Sequence, residues 1–200
     1  MCYNNKGEIP TIRKHFFTAE RIITMEMKVT SRKTSINKRV PAIASLLEKN
    51  VAKYVIEEGG IYDLGCGKYP EYFAEWCERR NIPYIGEDPY NISGVYTGRF
   101  AYAMNAHPCA ISSNVLNVLP PIQREEYVNE LLSVGTYGIP SWVFITVYEG
   151  DKSGIGKYGN DSFQANMKTE DMKDWLQTIF GQYVWERKGK LIFCKTGAEI

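Results

Sequence analysis

The stretch that decides the fold runs Ile61-Tyr62-Asp63-Leu64-Gly65-Cys66-Gly67-Lys68, and a helix that opens with Pro70 follows it. An apolar run that ends in an acid and then in Gly-x-Gly predicts a buried strand that turns tightly into a helix. Gly65 can adopt backbone angles that are closed to other residues, and Gly67 has no Cβ to keep a ligand away from the backbone. The first turn of the helix presents unpaired N–H groups toward the same point. The sequence therefore predicts a cofactor site at this turn.

A second acidic position follows one strand and one helix later. The segment Tyr84-Ile85-Gly86-Glu87 predicts the second strand. Asp88 ends that strand about twenty residues past the glycines, which is the usual distance for a carboxylate that accepts hydrogen bonds from ribose hydroxyls. Pro89 comes directly after it. We therefore expect Asp88 and Pro89 at the nucleoside end of the same site.

These residues resemble the class I S-adenosylmethionine-dependent methyltransferases, whose first motif runs acid-x-Gly-x-Gly after the first strand. Asp63, Gly65 and Gly67 fall on that pattern, with Cys66 between the two glycines. Tyr69 departs from it, because many members have a third glycine there. That departure also argues against a dinucleotide site, in which the third glycine lets helix and strand pack closely.

Two asparagines complete the expected site. Asn105 stands where the resembled family places an acid or amide beside the adenine ring, and an amide can both donate to and accept from such a ring. A turn before His107-Pro108 is the alternative for this asparagine. Asn114 ends a predicted buried central strand, beyond whose carboxyl end ligands collect in this architecture. Asn114 is therefore the candidate for a catalytic role as well as for cofactor binding. The resemblance implies S-adenosylmethionine as cofactor, contacted by Asp63, Gly65, Cys66, Gly67, Asp88, Pro89, Asn105 and Asn114.

The remaining pattern predicts alternating strands and helices. A helix is expected from Pro121 to Val134, a strand from Ser141 to Tyr148, and a closing hairpin across Arg187-Lys188-Gly189. The predicted fold is α/β, the Rossmann-like class I methyltransferase fold, with a mostly parallel seven-stranded sheet, helices on both faces and a C-terminal antiparallel hairpin. We divide the chain into a basic N-terminal extension, residues 1–39, and an S-adenosylmethionine-binding methyltransferase-like domain, residues 40–200.

Three local expectations concern the elements around the site. Pro41 predicts the start of a single helix that runs to Gly59-Gly60. The segment from Glu149 to Ser162 reads as a surface loop, and both a flexible lid over the substrate and a plain loop fit its composition. Thr169 is a suitable N-cap for the next helix.

Charge and cysteine use narrow the function further. Residues 1–60 hold 11 Lys and Arg against 6 Asp and Glu, although the whole chain has a net charge of only +1. The run from Lys28 to Arg39 contains no acid, so it fits either a solvated basic flank or a contact with phosphates.

The five cysteines are odd in number and form no C-x-x-C pair, which indicates neither a disulfide framework nor a zinc site. We expect no bound metal, no membrane span and a cytoplasmic protein, in the host cytoplasm if it is phage-encoded.

The resemblance implies transfer of a methyl group to an acceptor, with nucleic acid slightly favoured. The electrophilic methyl group of the cofactor demands alignment of a nucleophile and exclusion of water more than a strong base. The chain is also similar to small methyltransferase-like proteins of phages and mobile elements. The alternative is a non-catalytic protein that binds S-adenosylmethionine, or a partner, on the same fold.

Overall fold

The computed structural model describes residues 38–134, 138–159 and 162–197. Residues 1–37 of the predicted basic extension, including most of the basic run, lie outside these ranges. Within the described ranges, no helix has the length and apolar character needed to cross a lipid bilayer.

Within the described ranges, nine strands form two sheets. Seven of them make the main sheet, in the order β3-β2-β1-β4-β5-β9-β8, and β6 pairs only with β7. The strands are β1 Ile61–Leu64, β2 Tyr84–Glu87, β3 Val95–Thr97, β4 Cys109–Ser113, β5 Trp142–Thr146, β6 Lys157–Tyr158, β7 Phe163–Gln164, β8 Glu186–Lys188 and β9 Leu191–Lys195. The four central strands β2, β1, β4 and β5 are parallel. The expected α/β class, with a mostly parallel seven-stranded sheet, is confirmed.

The described residues form five α-helices: α1 Ala42–Asn50, α2 Lys53–Gly59, α3 Glu71–Glu78, α4 Pro121–Leu131 and α5 Thr169–Ile179. The single helix predicted from Pro41 to Gly59 is therefore two helices. The break falls at Val51 and Ala52, which both have extended backbone angles. Asn50 donates its side-chain amide to the Leu46 carbonyl (2.8 Å). Such side-chain bonds to nearby backbone, together with a β-branched residue, weaken a helix from within.

Alternate residues of the central strands enter two separate core clusters. One cluster joins Tyr62 and Leu64 to buried residues of α4 and α5. The other joins Ile61 to buried residues of α1, α2 and α3. A period of two in the side chains of a strand produces this division. Because residues of β1 pack into both clusters, the position of its carboxyl end, where the glycine turn begins, is fixed.

The strand β3 was not predicted from the sequence. Val95 and Thr97 are exposed, so the segment has no buried face that would mark it as a strand. It runs antiparallel to β2, with Glu87 opposite Val95. The chain therefore leaves β3 at the amino-terminal edge of the sheet and starts β4 from there.

The C-terminal hairpin is present, but its turn is Gly189-Lys190 and not the predicted Arg187-Lys188-Gly189. β8 and β9 pair antiparallel through Lys188 and Leu191, and Gly189 in the turn has φ 62°. β9 also pairs antiparallel with β5, which places it between β5 and β8. The position of Lys190 beyond the carboxyl end of β5 follows from this register.

The predicted loop after β5 folds onto the domain through Asn166, which is 3% exposed. The side-chain amide of Asn166 donates to the Ile155 carbonyl (3.0 Å). The backbone carbonyl of Asn166 accepts the N–H of Gly154 (3.0 Å). The strand β6, inside the predicted loop, pairs with β7, which lies just beyond the loop and contains the buried Phe163. The described part of the loop is therefore held by contacts with residues 163–166.

Candidate functional site

The glycine turn lies where the strand order reverses. From β1 the chain goes to β2 on one side, while β4 pairs with β1 on the other. In open α/β sheets ligands bind in the crevice outside the carboxyl ends of the strands at this point. The end of β1 therefore occupies the position that favours ligand binding.

Both glycines of the turn have positive φ angles, which the sequence predicted for Gly65. Gly65 has φ 80° and Gly67 has φ 79°. A Cβ on Gly65 would lie 2.4 Å from Cγ2 of Val115, the residue after Asn114. The turn is thus in contact with the chain leaving β4, and only glycine fits between them.

Asp63 carries the most unusual electrostatics of the site. It is 3% exposed, and its Oδ2 accepts a hydrogen bond from the Tyr84 hydroxyl (3.0 Å). Among the described residues its Oδ1 is buried and has no hydrogen-bond partner. Burial, opposed by the Tyr84 hydroxyl and assisted by the Asp88 charge, raises the pKa of Asp63 to about 7. A buried acceptor without a partner is costly unless a ligand supplies one.

Cys66 lies between the glycines as a neutral thiol. Burial raises the pKa of Cys66 far above its ordinary value, and the charges of Asp63 and Asp88 raise it further. The thiolate is the nucleophilic form, and the surroundings of Cys66 disfavour it. Its Sγ lies 3.1 Å from where a Cβ on Gly86 would stand, so it packs the turn against β2.

Asp88 joins the glycine turn to the loop that follows β2. Its Oδ2 accepts the N–H of Gly67 (3.0 Å) and the side-chain amide of Asn91 (2.8 Å). Its Oδ1 accepts the backbone N–H groups of Tyr90 (3.0 Å) and Asn91 (3.1 Å). A carboxylate has about four acceptor positions, so protein donors occupy all of them here. Pro89 is exposed next to it. The sequence located Asp88 but did not reveal this structural role.

Asn105 is not brought to this edge of the sheet. Its backbone N–H donates to the Gly59 carbonyl (3.4 Å), directly before β1, and its Oδ1 accepts the N–H of His107 (3.2 Å). The reason is the antiparallel β3, which returns the chain to the amino-terminal edge. The arrangement observed is the alternative considered above, an Asn turn before His107-Pro108.

Asn114 lies where the sequence placed it, at the carboxyl end of β4. Its φ is 59°, and its backbone N–H donates to the Thr146 carbonyl (2.8 Å) at the end of β5. Among the described residues its side-chain amide makes no hydrogen bond, so the amide is available to a ligand. Asn117, three residues on, is instead buried and bonds the N–H of Tyr148 (3.1 Å).

A cleft of about 290 Å³ opens beyond the ends of β4 and β5. It is bounded by two strand ends, the start of α1 and the turn between β8 and β9. Its lining comprises Ala42, Leu46, Asn114, Thr146, Val147, Tyr148, Glu149, Gly150, Lys152 and Lys190. Of these residues the sequence interpretation singled out only Asn114. Tyr148 and Glu149 follow directly after β5, so their position was a usable signal, whereas nothing in the sequence pointed to Lys190.

Glu149 anchors the rim of the cleft. Its Oε1 accepts both the backbone N–H and the hydroxyl of Thr169 (2.9 Å each), and its Oε2 pairs with Lys152 (3.2 Å). The bonds from Thr169 lower the pKa of Glu149 to about 2. Thr169 is therefore not the N-cap that the sequence predicted, because Lys168 holds that position without a side-chain cap.

The residues of the two regions differ in chemistry. The glycine turn carries the carboxylates of Asp63 and Asp88, and the cleft carries two lysines, one carboxylate, an amide and an aromatic ring. In the described part of the chain, no three His, Cys, Asp or Glu side chains come together as a metal site would require.

No protein-family model matches the sequence, and comparison with curated proteins gives no match either.

Proposed function

We propose that this protein is an S-adenosylmethionine-dependent methyltransferase with the Rossmann-like class I fold. One observation carries the proposal: Asp63 keeps an unpartnered buried carboxylate oxygen at the end of β1, beside a Gly-x-Gly turn at the switch point of the sheet. A cationic ligand group is the natural partner for such an oxygen. S-adenosylmethionine carries positive charge on both its ammonium and its sulfonium group.

The architecture supports the same conclusion. Residues of α1 to α3 and residues of α4 and α5 belong to different core clusters, as expected if helices cover both faces of the sheet. The antiparallel hairpin at the end of the chain also agrees with the class. A dinucleotide is disfavoured because Tyr69 replaces the third glycine of that fingerprint.

The residues of the glycine turn fit the proposed cofactor. Gly65 and Gly67 have positive φ angles and no side chains of their own, so a ligand can come close to their backbone, and Asp63 would offer its charge to the amino acid portion. Asp88 and Pro89 would hold the nucleoside. Ribose hydroxyls would take the Asp88 acceptor position now used by the Asn91 side chain, which is the most easily displaced of the four donors because it is not backbone.

When bound, the cofactor supplies an electrophilic methyl group, so the protein has to align a nucleophile with it and keep water away. Contact between the glycine turn and Val115 brings the cofactor region next to Asn114 and the cleft. Asn114 is the residue we assign to orienting the acceptor. His107 is not a base for this step, because it lies with Asn105 at the opposite edge and bonds the Ile139 carbonyl (2.8 Å).

Calorimetric titration of S-adenosylmethionine and its demethylated product tests the proposal. We expect wild type to bind both ligands. We expect Asp63→Asn to bind each of them at least about tenfold more weakly, because losing about 1.4 kcal/mol of interaction with the charge of Asp63 changes the affinity by a factor of ten. The control is Asp174→Asn, an exposed acid on α5. Absence of binding to wild type would overturn the proposal.

A non-catalytic binding protein is the second candidate. The observation that favours it is the commitment of Glu149, the one carboxylate lining the described cleft, to Thr169 and Lys152. In the described cleft, no carboxylate is therefore free to act as a general base toward the methyl acceptor. Incubation with methyl-labelled cofactor and a set of acceptors separates the two: label in any acceptor identifies an enzyme.

A further inference from the structure

The cleft beyond β4 and β5 has the composition of a nucleotide site. Its volume of about 290 Å³ is suited to one small planar molecule with a polar substituent. A base with part of its sugar fits such a space, whereas a folded peptide segment does not.

Positive charge in the cleft is only partly compensated. Lys152 pairs with Glu149, whose other oxygen is occupied by Thr169. Lys190, on the turn before β9, has no ion-pair partner among the described residues. An ammonium group that is exposed and uncommitted at the mouth of a cleft favours an anionic group on the ligand. Exposed Lys188 on the same hairpin extends the positive surface.

The cleft also offers an aromatic ring and a free amide. Tyr148 lines it and leaves 59% of its surface exposed, although its backbone N–H is fixed by the buried Asn117. Bases stack on rings held in this way. The Asn114 amide can both donate to and accept from the edge of a base. An anionic group, a planar ring and a hydrogen-bonding edge are together the features of a nucleotide.

The start of α1 connects the cleft to the glycine turn. Lys38 lies over the Tyr69 ring, 5.4 Å from its centroid, while Ala42 and Leu46 line the cleft. Lys38 and Arg39 end the basic run that the sequence singled out, and they come just before α1. Lys38, in the described end of the basic run, therefore lies at the boundary between the two regions.

We infer that the methyl acceptor is a nucleotide whose base lies against Tyr148 and whose phosphate pairs with Lys190. This inference rests on the proposed function, since it names the acceptor of the same site. A nucleophilic nitrogen or oxygen of the nucleotide forms the new bond to the methyl carbon as the carbon–sulfur bond breaks. The sulfur keeps the electron pair and becomes a neutral thioether, and the displaced proton of the acceptor passes to water.

The test measures binding of nucleotides by the full chain. The probes are fluorescein-labelled single strands of mixed sequence, about twelve nucleotides long, as DNA and as RNA. The four unlabelled nucleoside monophosphates serve as competitors. We compare wild type with Lys190→Gln and Tyr148→Ala. The matched controls are Lys195→Gln, at the opposite end of β9, and Tyr102→Ala, an exposed tyrosine near the opposite edge.

The expected results are specific to the two cleft residues. Lys190→Gln weakens binding and lowers the slope of log affinity against log salt by about 1. Tyr148→Ala weakens binding by about 5- to 100-fold at all salt concentrations, as loss of one stacked base does. Both controls bind like wild type. If the monophosphates compete with the strands at the same concentration of nucleotides, the natural ligand is a free nucleotide. If only the strands bind, the ligand is a nucleic acid.

Two outcomes would overturn the inference: no binding of any probe by wild type, or binding that is unchanged in both cleft variants. Titration of S-adenosylmethionine into the same preparations separates this failure from failure of the proposed function. If the cofactor binds all variants and no nucleotide binds, only the acceptor assignment falls. If nucleotides bind through the cleft and the cofactor does not bind, the methyltransferase proposal falls and the nucleotide site remains without its catalytic role.

Discussion

At the scale of single residues, the burial of Asp63 lowers the stability of the folded protein at neutral pH. Its folded pKa of about 7 lies well above the ordinary 3.8, mainly because the side chain is buried. Between these two values the folded state holds a proton that the unfolded state has lost. The free energy of unfolding therefore falls as pH rises through this window. A residue that lowers stability at neutral pH is typical of a binding site and not of a core.

Asp63→Asn should therefore stabilise the ligand-free protein above pH 7. The gain reaches at most about 4 kcal/mol, or about 10 °C in Tm for a chain of this size, because Asn cannot ionise but still accepts from Tyr84. Near pH 4 the two proteins should melt together, since Asp63 is then neutral. Thermal melts from pH 4 to pH 9 check this, and equal melting temperatures at pH 9 would contradict it.

Asp88→Ala should destabilise the protein even without ligand. The four hydrogen bonds to Asp88 hold the glycine turn against the loop after β2, and their loss costs about 2–4 kcal/mol. Urea denaturation measures this cost. The control is Asn91→Ala, which removes only the bond from the Asn91 side chain and should cost about 1 kcal/mol or less. An unchanged unfolding midpoint for Asp88→Ala would show that the bonds are not structural.

At the scale of elements, Glu149 links the cleft to the start of α5. The helix has no side-chain cap of its own, and Glu149 supplies the acceptor for Thr169 from the end of β5. The carboxylate also complements the positive end of the helix. The first turn of α5 and the rim of the cleft are therefore expected to form and loosen together.

Glu149→Gln tests this link between the elements. The amide keeps one acceptor but loses the charge, so we expect a loss of about 1 kcal/mol in the free energy of unfolding. Faster amide hydrogen exchange should appear in the first turn of α5 and in residues 150–153. Glu186→Gln, an exposed change on β8, is the control. Exchange in α5 that stays at the wild-type rate would rule the link out.

At the scale of the whole molecule, the sequence predicted what depends on local pattern. β1, β2 and the glycine turn were correctly located because burial and glycine geometry leave a strong signal in a few adjacent residues. Most of the cleft was not, because its lining comes from the ends of β4 and β5, from α1 and from the β8–β9 turn, which lie far apart in the sequence. Asn105 was not, because its position depends on the direction of β3. That strand is exposed and only three residues long, so no periodicity marked it. Contacts between distant segments, such as Glu149 with Thr169, also have no signal in adjacent residues.

The central claim, that Asp63 and the glycine turn bind S-adenosylmethionine, is tested most directly by calorimetry at pH 7 in two buffers of different ionisation enthalpy. Binding of the cation should force Asp63 to ionise. The account predicts tight binding with release of about half a proton, because a group with a pKa of about 7 is half protonated there. Asp63→Asn should release none. No binding, or binding with the same proton release in the variant, would contradict the claim.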